Sequence, residues 1–293
     1  MHNIKISKSI LFAFGVTIFL WASAFPVIKL ALQDFKAEHL SALRLIIGSI
    51  LLCIIGIIKK VPLPHLKDIP FILLLGFCGF TVYHTSLSIG EYYVSAGIAS
   101  LLVSTTPIFS ALLAILFLKE RFSKLAWGGS IIAFLGVVLI SIGNENKITV
   151  VVIGVILILF ASLGESVYFV FQKRYLDKYG FIPFTLYAIV SGAIFMLFFL
   201  PSSYNEIQTA STTSLLAVLY LGIFPTVIPY FALAFTIQKI GVADATISLY
   251  LTPAVSILLA YVLLGEIPTL IVIGGGIITL IGVSMVVLKS NNN

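Results

Sequence analysis

With 293 residues the chain is long enough for one large or two ordinary soluble domains, yet 60% of its residues are hydrophobic and only 10% are charged. Soluble domains carry about 25% charged residues, so no water-facing surface can be assembled here and the chain reads as an integral membrane protein. The net charge of +6, from 17 Lys and Arg against 11 Asp and Glu, does not signal a nucleic-acid partner, because the charges fall in short clusters between long apolar runs.

In chain order, apolar runs begin near Ile10, Leu40, Pro70, Ala96, Leu125, Thr149, Ile182, Ser214, Thr246 and Thr269. A bilayer core about 30 Å thick needs roughly 20 helical residues per crossing. The runs therefore take up most of the chain, and the pattern predicts an all-α integral membrane protein with ten transmembrane helices. A closed barrel is excluded by period, since 46–58 and 150–160 are continuously apolar where membrane strands alternate. The first run follows Lys5 and Lys8 and contains Ala22-Ser23-Ala24, which imitates a cleavable signal peptide. It stays apolar through Leu32, long enough to span, and is expected to remain as the first helix. Cys53 and Cys78 lie inside apolar runs and are expected to pack as small apolar groups.

Basic residues set the orientation. With the N-terminus inside, 13 Lys and Arg fall in cytoplasmic segments and only Lys36 and Lys147 fall outside. The expectation is a multi-pass protein of the plasma (inner) membrane with both termini cytoplasmic.

The chain also repeats itself. A shift of 146 places Gly76 on Gly222, Pro107 on Pro253, Glu120 on Glu266, Gly128-Gly129 on Gly274-Gly275 and Gly136-Val137 on Gly282-Val283. The first helix matches at a shift of 139, with Gly15-Val16 on Gly154-Val155 and Ala22-Ser23 on Ala161-Ser162. Shared apolar composition would scatter Leu and Ile matches, but it would not put Pro, Glu and Gly in register. Two units are expected, residues 1–142 with helices one to five and residues 149–289 with helices six to ten. An odd number of crossings threads the second unit from the opposite side, giving two inverted five-helix repeats. That symmetry supplies an inward-open and an outward-open state of similar energy with a site near the midplane, the arrangement of alternating-access carriers.

The run Trp21-Ala22-Ser23-Ala24-Phe25-Pro26-Val27-Ile28-Lys29-Leu30 resembles the opening of the EamA family of the drug/metabolite transporter superfamily. Ala42-Leu43-Arg44, the stretch from Ala99 to Pro107, and the run from Ala111 through Leu118-Lys119-Glu120-Arg121 to Gly128 and Gly136 fit the same pattern. The resemblance covers essentially the whole chain. It implies a ten-helix inner-membrane carrier whose cavity is built by helices one to four and six to nine, with helices five and ten at the periphery. It also implies substrates among amino acids, other metabolites and drugs, often moved outward. Two departures are visible: Gly265-Glu266-Ile267 lacks the basic residue that follows Glu120, and Ala24-Phe25 stands where the family often has a polar residue.

Ionisable groups within a span are functional candidates, since each costs about 2.5–3.5 kcal/mol at a helix centre. Glu165 lies about 9 Å from the cytoplasmic end of helix six at 1.5 Å per residue, too deep for its short side chain to reach water. Tyr168 and Gln172 share its face at i+3 and i+7. This face is expected to line the cavity, with Glu165 either protonatable or amine-binding, or else a structural anchor to another helix. Lys29 and Arg44 sit near the outer helix ends beside Asp34 and Glu38. Snorkelling to the headgroups is the expected role, and an outer gate or carboxylate contact is the alternative. His84, with Tyr83 and Thr85, forms a polar patch expected to be hydrogen-bonded packing rather than a proton relay or metal site.

Pro26, Pro107, Pro225, Pro229 and Pro253 interrupt five spans and are read as bends near the cavity, or hinges, with Pro107 beside Thr105 and Thr106 and Pro253 beside Thr252. Trp21, Tyr83, Tyr168, Tyr230 and Tyr250 offer surfaces for an aromatic or apolar substrate. Gly128, Gly129 and Gly136, with Gly274, Gly275, Gly276 and Gly282, read as close-packing helix surfaces. No phosphate loop, cofactor motif or metal cluster is apparent.

The function expected from this reading is secondary transport of small organic solutes by alternating access, in the export direction, without cofactor, as monomer or homodimer. With no nucleotide motif and no cation-coordinating cluster, proton antiport and facilitated diffusion are the two choices left. The same fold run as an importer, and an integral-membrane lipid-modifying enzyme, are the competing readings. Asp68, Glu120, Asp177 and Asp244 are too scattered among basic residues to form a catalytic pair.

Overall fold

Continuously apolar runs cannot leave backbone polar groups unsatisfied in lipid, and the α-helix satisfies them within the segment. The computed structural model describes residues 8–118, 124–143, 148–240, 245 and 248–290, and among these every regular element is helical. The helices are α1 (Lys8–Ala31), α2 (Ala37–Ile58), α3 (Ile69–Gly76), α4 (Tyr83–Gly90), α5 (Ala96–Val103) and α6 (Thr106–Leu118). They continue with α7 (Lys124–Ile142), α8 (Ile148–Phe171), α9 (Lys173–Tyr179), α10 (Phe181–Met196) and α11 (Tyr204–Thr209). The last four are α12 (Thr212–Ile223), α13 (Ile228–Ile240), α14 (Thr252–Leu264) and α15 (Leu270–Ser290). Six stretches are long and apolar enough to cross a membrane, including Leu66–Gly90 and Thr212–Lys239, which join two helices each. Four shorter apolar helices stand beside them, Ala96–Ser110, Trp127–Ile142, Thr252–Leu264 and Leu270–Met285.

Four of the five prolines stand where helices break, and Pro26 does not. Pro26 lies inside α1, which runs on to Ala31 without a break. Pro107, Pro229 and Pro253 each occupy the second position of a helix, where a missing N–H costs nothing. Pro225 falls in the turn between α12 and α13. These four therefore mark restarts of the chain rather than kinks within a helix. Between α3 and α4 the residues Phe77–Val82 form a π-helical turn, a local unwinding that often marks a functional region.

The packing has a recurring plan. α1 lies against α12, α13 and α14, while α8 lies against α4, α6 and α5. α2 meets α10 and α12, and α10 meets α3 as well. α7 and α15 pair with each other along their length. Small residues make these approaches close. A Cβ on Gly136 would lie 2.6 Å from the Gly275 carbonyl, and one on Gly282 would lie 2.5 Å from the Gly129 carbonyl. Gly128 and Gly274 have nothing within 4 Å, so those two glycines are not part of the seam. The outer faces of the pair carry Ile131, Phe134, Ile277 and Ile281, all exposed, as a lipid-facing surface requires.

Polar ties close both ends of the bundle. At one end the Ser211 amide and hydroxyl donate to Asp34 at 3.0 and 2.7 Å. The Ser211 hydroxyl first, then its amide, hold the Asp34 carboxyl below the usual carboxylate range. Glu206 lies 2.8 Å from His39 Nδ1, and Glu266 accepts the Ala96 amide at 2.9 Å, capping α5. At the other end Lys178 pairs with Asp68 at 2.5 Å, and the Tyr179 hydroxyl also donates to Asp68. Glu120 lies outside the described residues. Cys53 is exposed on the outer surface and Cys78 is half-buried, so Cys53 does not pack as expected.

Candidate functional site

The interruptions of the helices converge on one cavity. It encloses about 630 Å³ of space free of atoms, counting its open mouth. Trp21, Ala24, Phe25 and Ile28 of α1 form one wall, and Tyr83, His84 and Leu87 of α4 another. Ser100, Val103, Ser104, Thr106 and Pro107 come from the α5–α6 break, and Leu249 and Thr252 from the start of α14. Arg44 of α2 and Glu165 of α8 complete the lining.

Arg44 is only 2% exposed. Its Nε donates to Thr226 Oγ1 at 3.1 Å, while its Nη1 has no partner. Thr226 belongs to the turn between α12 and α13, and the adjacent carbonyl of Pro225 accepts from Trp21 Nε1 at 3.2 Å. The unwound turn is thus held by α1 and α2 together. This corrects the expectation of a snorkelling Arg44: the guanidinium turns into the bundle, where the turn offers an acceptor. Lys29 keeps its place at the outer end of α1 and is half-buried.

Glu165 is 4% exposed and is reached by one hydroxyl, Thr106 Oγ1, at 3.2 Å. The next residue, Ser166, donates to the Thr106 carbonyl at 2.9 Å, so α8 is fastened to the α5–α6 break at this level. Both ring nitrogens of His84 are buried without a partner. The ring instead lies among Tyr83, Phe80 and Tyr230, with centroids 4.9, 6.2 and 6.4 Å away. A hydrogen-bonded packing role for His84 is therefore not what the structure contains.

Of the other residues expected here, Trp21 and Tyr83 line the cavity. Tyr168 does not: it is 1% exposed and packs on Phe80 and Phe184, and a Cβ on Gly79 would touch it. Tyr230 stands one layer back, edge-on to Trp21 at 5.1 Å. The Thr105 hydroxyl is turned to the Leu102 carbonyl at 2.7 Å, and its neighbour Thr106 takes the cavity position. Pro107 borders the cavity, while the side chain of Tyr250 lies outside the described ones.

Three polar groups were not singled out by sequence. Thr106 and Thr226 each hold one of the buried ionic groups. Glu91, just past α4, is fully buried with both carboxyl oxygens unbonded, and it interacts electrostatically with Lys29, Glu266 and Arg44. It stands at the end of an apolar run, where the sequence carries no sign that it is enclosed. Among the described residues no three His, Cys, Asp or Glu gather as a metal site requires. The cavity offers binding and charge neutralisation by an apolar, aromatic box with one cationic and one acidic group.

A family model described as "EamA-like transporter family" matches the chain twice, over residues 7–142 and 152–288. The "Uncharacterized transporter YdfC" of Bacillus subtilis (strain 168) is 49% identical over 98% of this chain and 94% of its own. A protein of Streptantibioticus cattleyicolor named "Probable terminal-alkyne amino-acid exporter" is 34% identical over 96% of this chain and 94% of its own. A solved crystal structure at 18% identity aligns with a TM-score of 0.65 over 98% of both chains, a likeness of fold alone.

Proposed function

The chain belongs to the EamA-like transporter family of multi-pass membrane proteins, and from that premise we propose that it is a secondary carrier exporting small organic solutes by alternating access. The observation that carries this reading is the cavity itself. Its walls come from both halves of the sequence, α1, α2, α4 and α5–α6 on one side and α8 and α14 on the other. Helix restarts at Thr106-Pro107 and Thr252-Pro253 border it.

Ten crossings in two inverted units, residues 1–142 and 149–289, are supported by how the glycines pair. Gly48 approaches the Gly222 carbonyl at 3.0 Å, and Gly192 approaches the Gly76 carbonyl at 2.9 Å, measured from an added Cβ. Gly76 and Gly222 are the positions related by the 146-residue shift. Their partners Gly48 and Gly192 are 144 residues apart, so an exchange of the two units sends one crossing into the other to within two residues. The same exchange sends Gly136 on Gly275 into Gly282 on Gly129.

The end bearing Asp68 and Lys178 is cytoplasmic in this reading, because the basic clusters lie there. Both termini are then inside. Protons are the coupling ion that the buried Glu165 supports, and the carrier works as monomer or homodimer. Export follows the direction in the name of the Streptantibioticus relative; import would use the same geometry. The test is a flux screen of amino acids, other metabolites and cationic drugs in proteoliposomes, with and without a pH gradient. Saturable movement of at least one class is expected. Movement of none, by protein that melts as a folded species, would remove the reading.

A further inference from the structure

The cavity holds two buried ionic groups that do not neutralise each other. No ion pair joins Arg44 to Glu165, and neither has another charged partner within 4 Å among the described residues. Arg44 donates through Nε to a neutral hydroxyl, and its Nη1 is buried without a hydrogen-bond partner. Glu165 has a single neutral hydroxyl on one oxygen. A buried charge without its counter-charge is costly, and a protein keeps such a group where something completes it.

The two groups flank the same space. Tyr83 lines that space, and Tyr230 stands one layer behind it, edge-on to Trp21. The rest of the lining sets apolar Phe25, Ile28, Leu87, Val103 and Leu249 among the small hydroxyl residues Ser100, Ser104 and Thr252. Glu91, buried just past α4, makes no ion pair or hydrogen bond to Arg44 among the described residues. A ligand with one charge would leave the opposite pole uncompensated, and an uncharged ligand would leave both.

We propose that the cavity is a dipolar clamp for an α-amino acid with an apolar side chain, in which the Arg44 guanidinium takes the carboxylate and the Glu165 carboxylate takes the ammonium. This rests on the carrier reading and specifies its substrate chemistry. With Nε spent on Thr226 and Nη1 unpaired, the two terminal nitrogens of Arg44 are the fork that suits a carboxylate. The aromatic wall of Trp21, Phe25 and Tyr83 receives the side chain. Both poles sit at helix breaks, Arg44 on the α12–α13 turn and Glu165 on the α5–α6 turn. Occupying both therefore bridges the elements that must move.

The test uses the purified full-length chain and ligands cut down one charge at a time. L-leucine and L-phenylalanine are compared with 4-methylpentanoate and 3-phenylpropanoate, which lack the amine, and with 3-methylbutylamine and phenethylamine, which lack the carboxylate. Displacement of a radiolabelled amino acid is expected to need at least about 100-fold more of either fragment, the cost of leaving one buried charge unpaired. Glu165→Gln is expected to weaken the amino acids while leaving the amine-free acids unchanged or tighter. Arg44→Gln is expected to do the reverse, sparing the amines. Fragments competing within about threefold of the parent, or variants weakening all ligands alike, would overturn the clamp. Should either variant fail to fold, the wild-type fragment series decides alone. Flux of uncharged or singly charged solutes without amino acids would overturn the clamp and leave the carrier standing; no flux of any solute would sink the carrier itself.

Discussion

Gly136 faces Gly275 so closely that an added Cβ would stand 2.6 Å from the Gly275 carbonyl, with the neighbouring contact of Gly282 on the Gly129 carbonyl at 2.5 Å. Backbone meets backbone there, and nothing flexible can give way. Gly282→Ala is expected to destabilise the protein by about 1–3 kcal/mol, read as a fall in Tm in detergent. Gly274→Ala, on the same helix with nothing within 4 Å, is expected to leave Tm unchanged. Equal effects at the two positions would contradict the packing of α7 on α15.

Glu165 is reached by one hydroxyl, Thr106 Oγ1, and lines the cavity. Glu165→Gln keeps the size and removes the charge. Initial transport rates are expected to fall roughly 10–100-fold, the worth of a charged hydrogen bond in a buried site, and the remaining rate to lose its dependence on pH. Rates matching wild type at every pH from 5 to 9 would take Glu165 out of the pathway. Thr106→Val is expected to fall in the same direction by a smaller factor.

Asp34 ties the α1–α2 loop to the start of α12 through two bonds from Ser211. Its folded-state pKa lies below the ordinary 3.8, so its contribution is present above that value and is lost as pH falls through the folded one. Asp34→Asn is expected to lower Tm at pH 6–8, and the gap between variant and wild type is expected to narrow progressively as the pH falls below 3.8. A gap that persists unchanged in acid would mean that the carboxylate charge is not what holds the loop.

Orientation is checked with single cysteines placed after Cys53 and Cys78 are replaced by Ala. Lys60 and Asn205 are both exposed, at opposite ends of the bundle. A membrane-impermeant maleimide added to whole cells is expected to label Asn205→Cys and to miss Lys60→Cys until the membrane is opened. Labelling of both from outside would refute the inverted threading.

Much of this was legible from period and spacing. The apolar runs gave the helices, and the 146-residue shift anticipated the glycine seams, because close approach depends on residue size, which sequence carries directly. Glu165 was found by depth alone. Facing was harder. Tyr168 shares a helix stripe with Glu165, but α8 is enclosed by α4, α5 and α6, so its polar stripe meets both cavity and packed core. Arg44 was placed by its distance from a helix end, and its direction depends on Thr226, 182 residues away in a turn. Thr106 displaced Thr105 by one residue because the helix restarts between them, which rotates adjacent side chains apart. Glu91 was invisible because nothing in a sequence says that a residue beyond a span is roofed over.

The seam between α7 and α15 also limits how the molecule can move. Carbonyls seated against glycines resist sliding, and that pair contributes no residue to the cavity lining. In the proposed carrier, tilting of one unit against the other would turn about this stiff edge, as a door turns on its jamb. Stapling α7 to α15 would cost such a carrier little of its speed, whereas an equal staple from α1 to α14 would jam it shut.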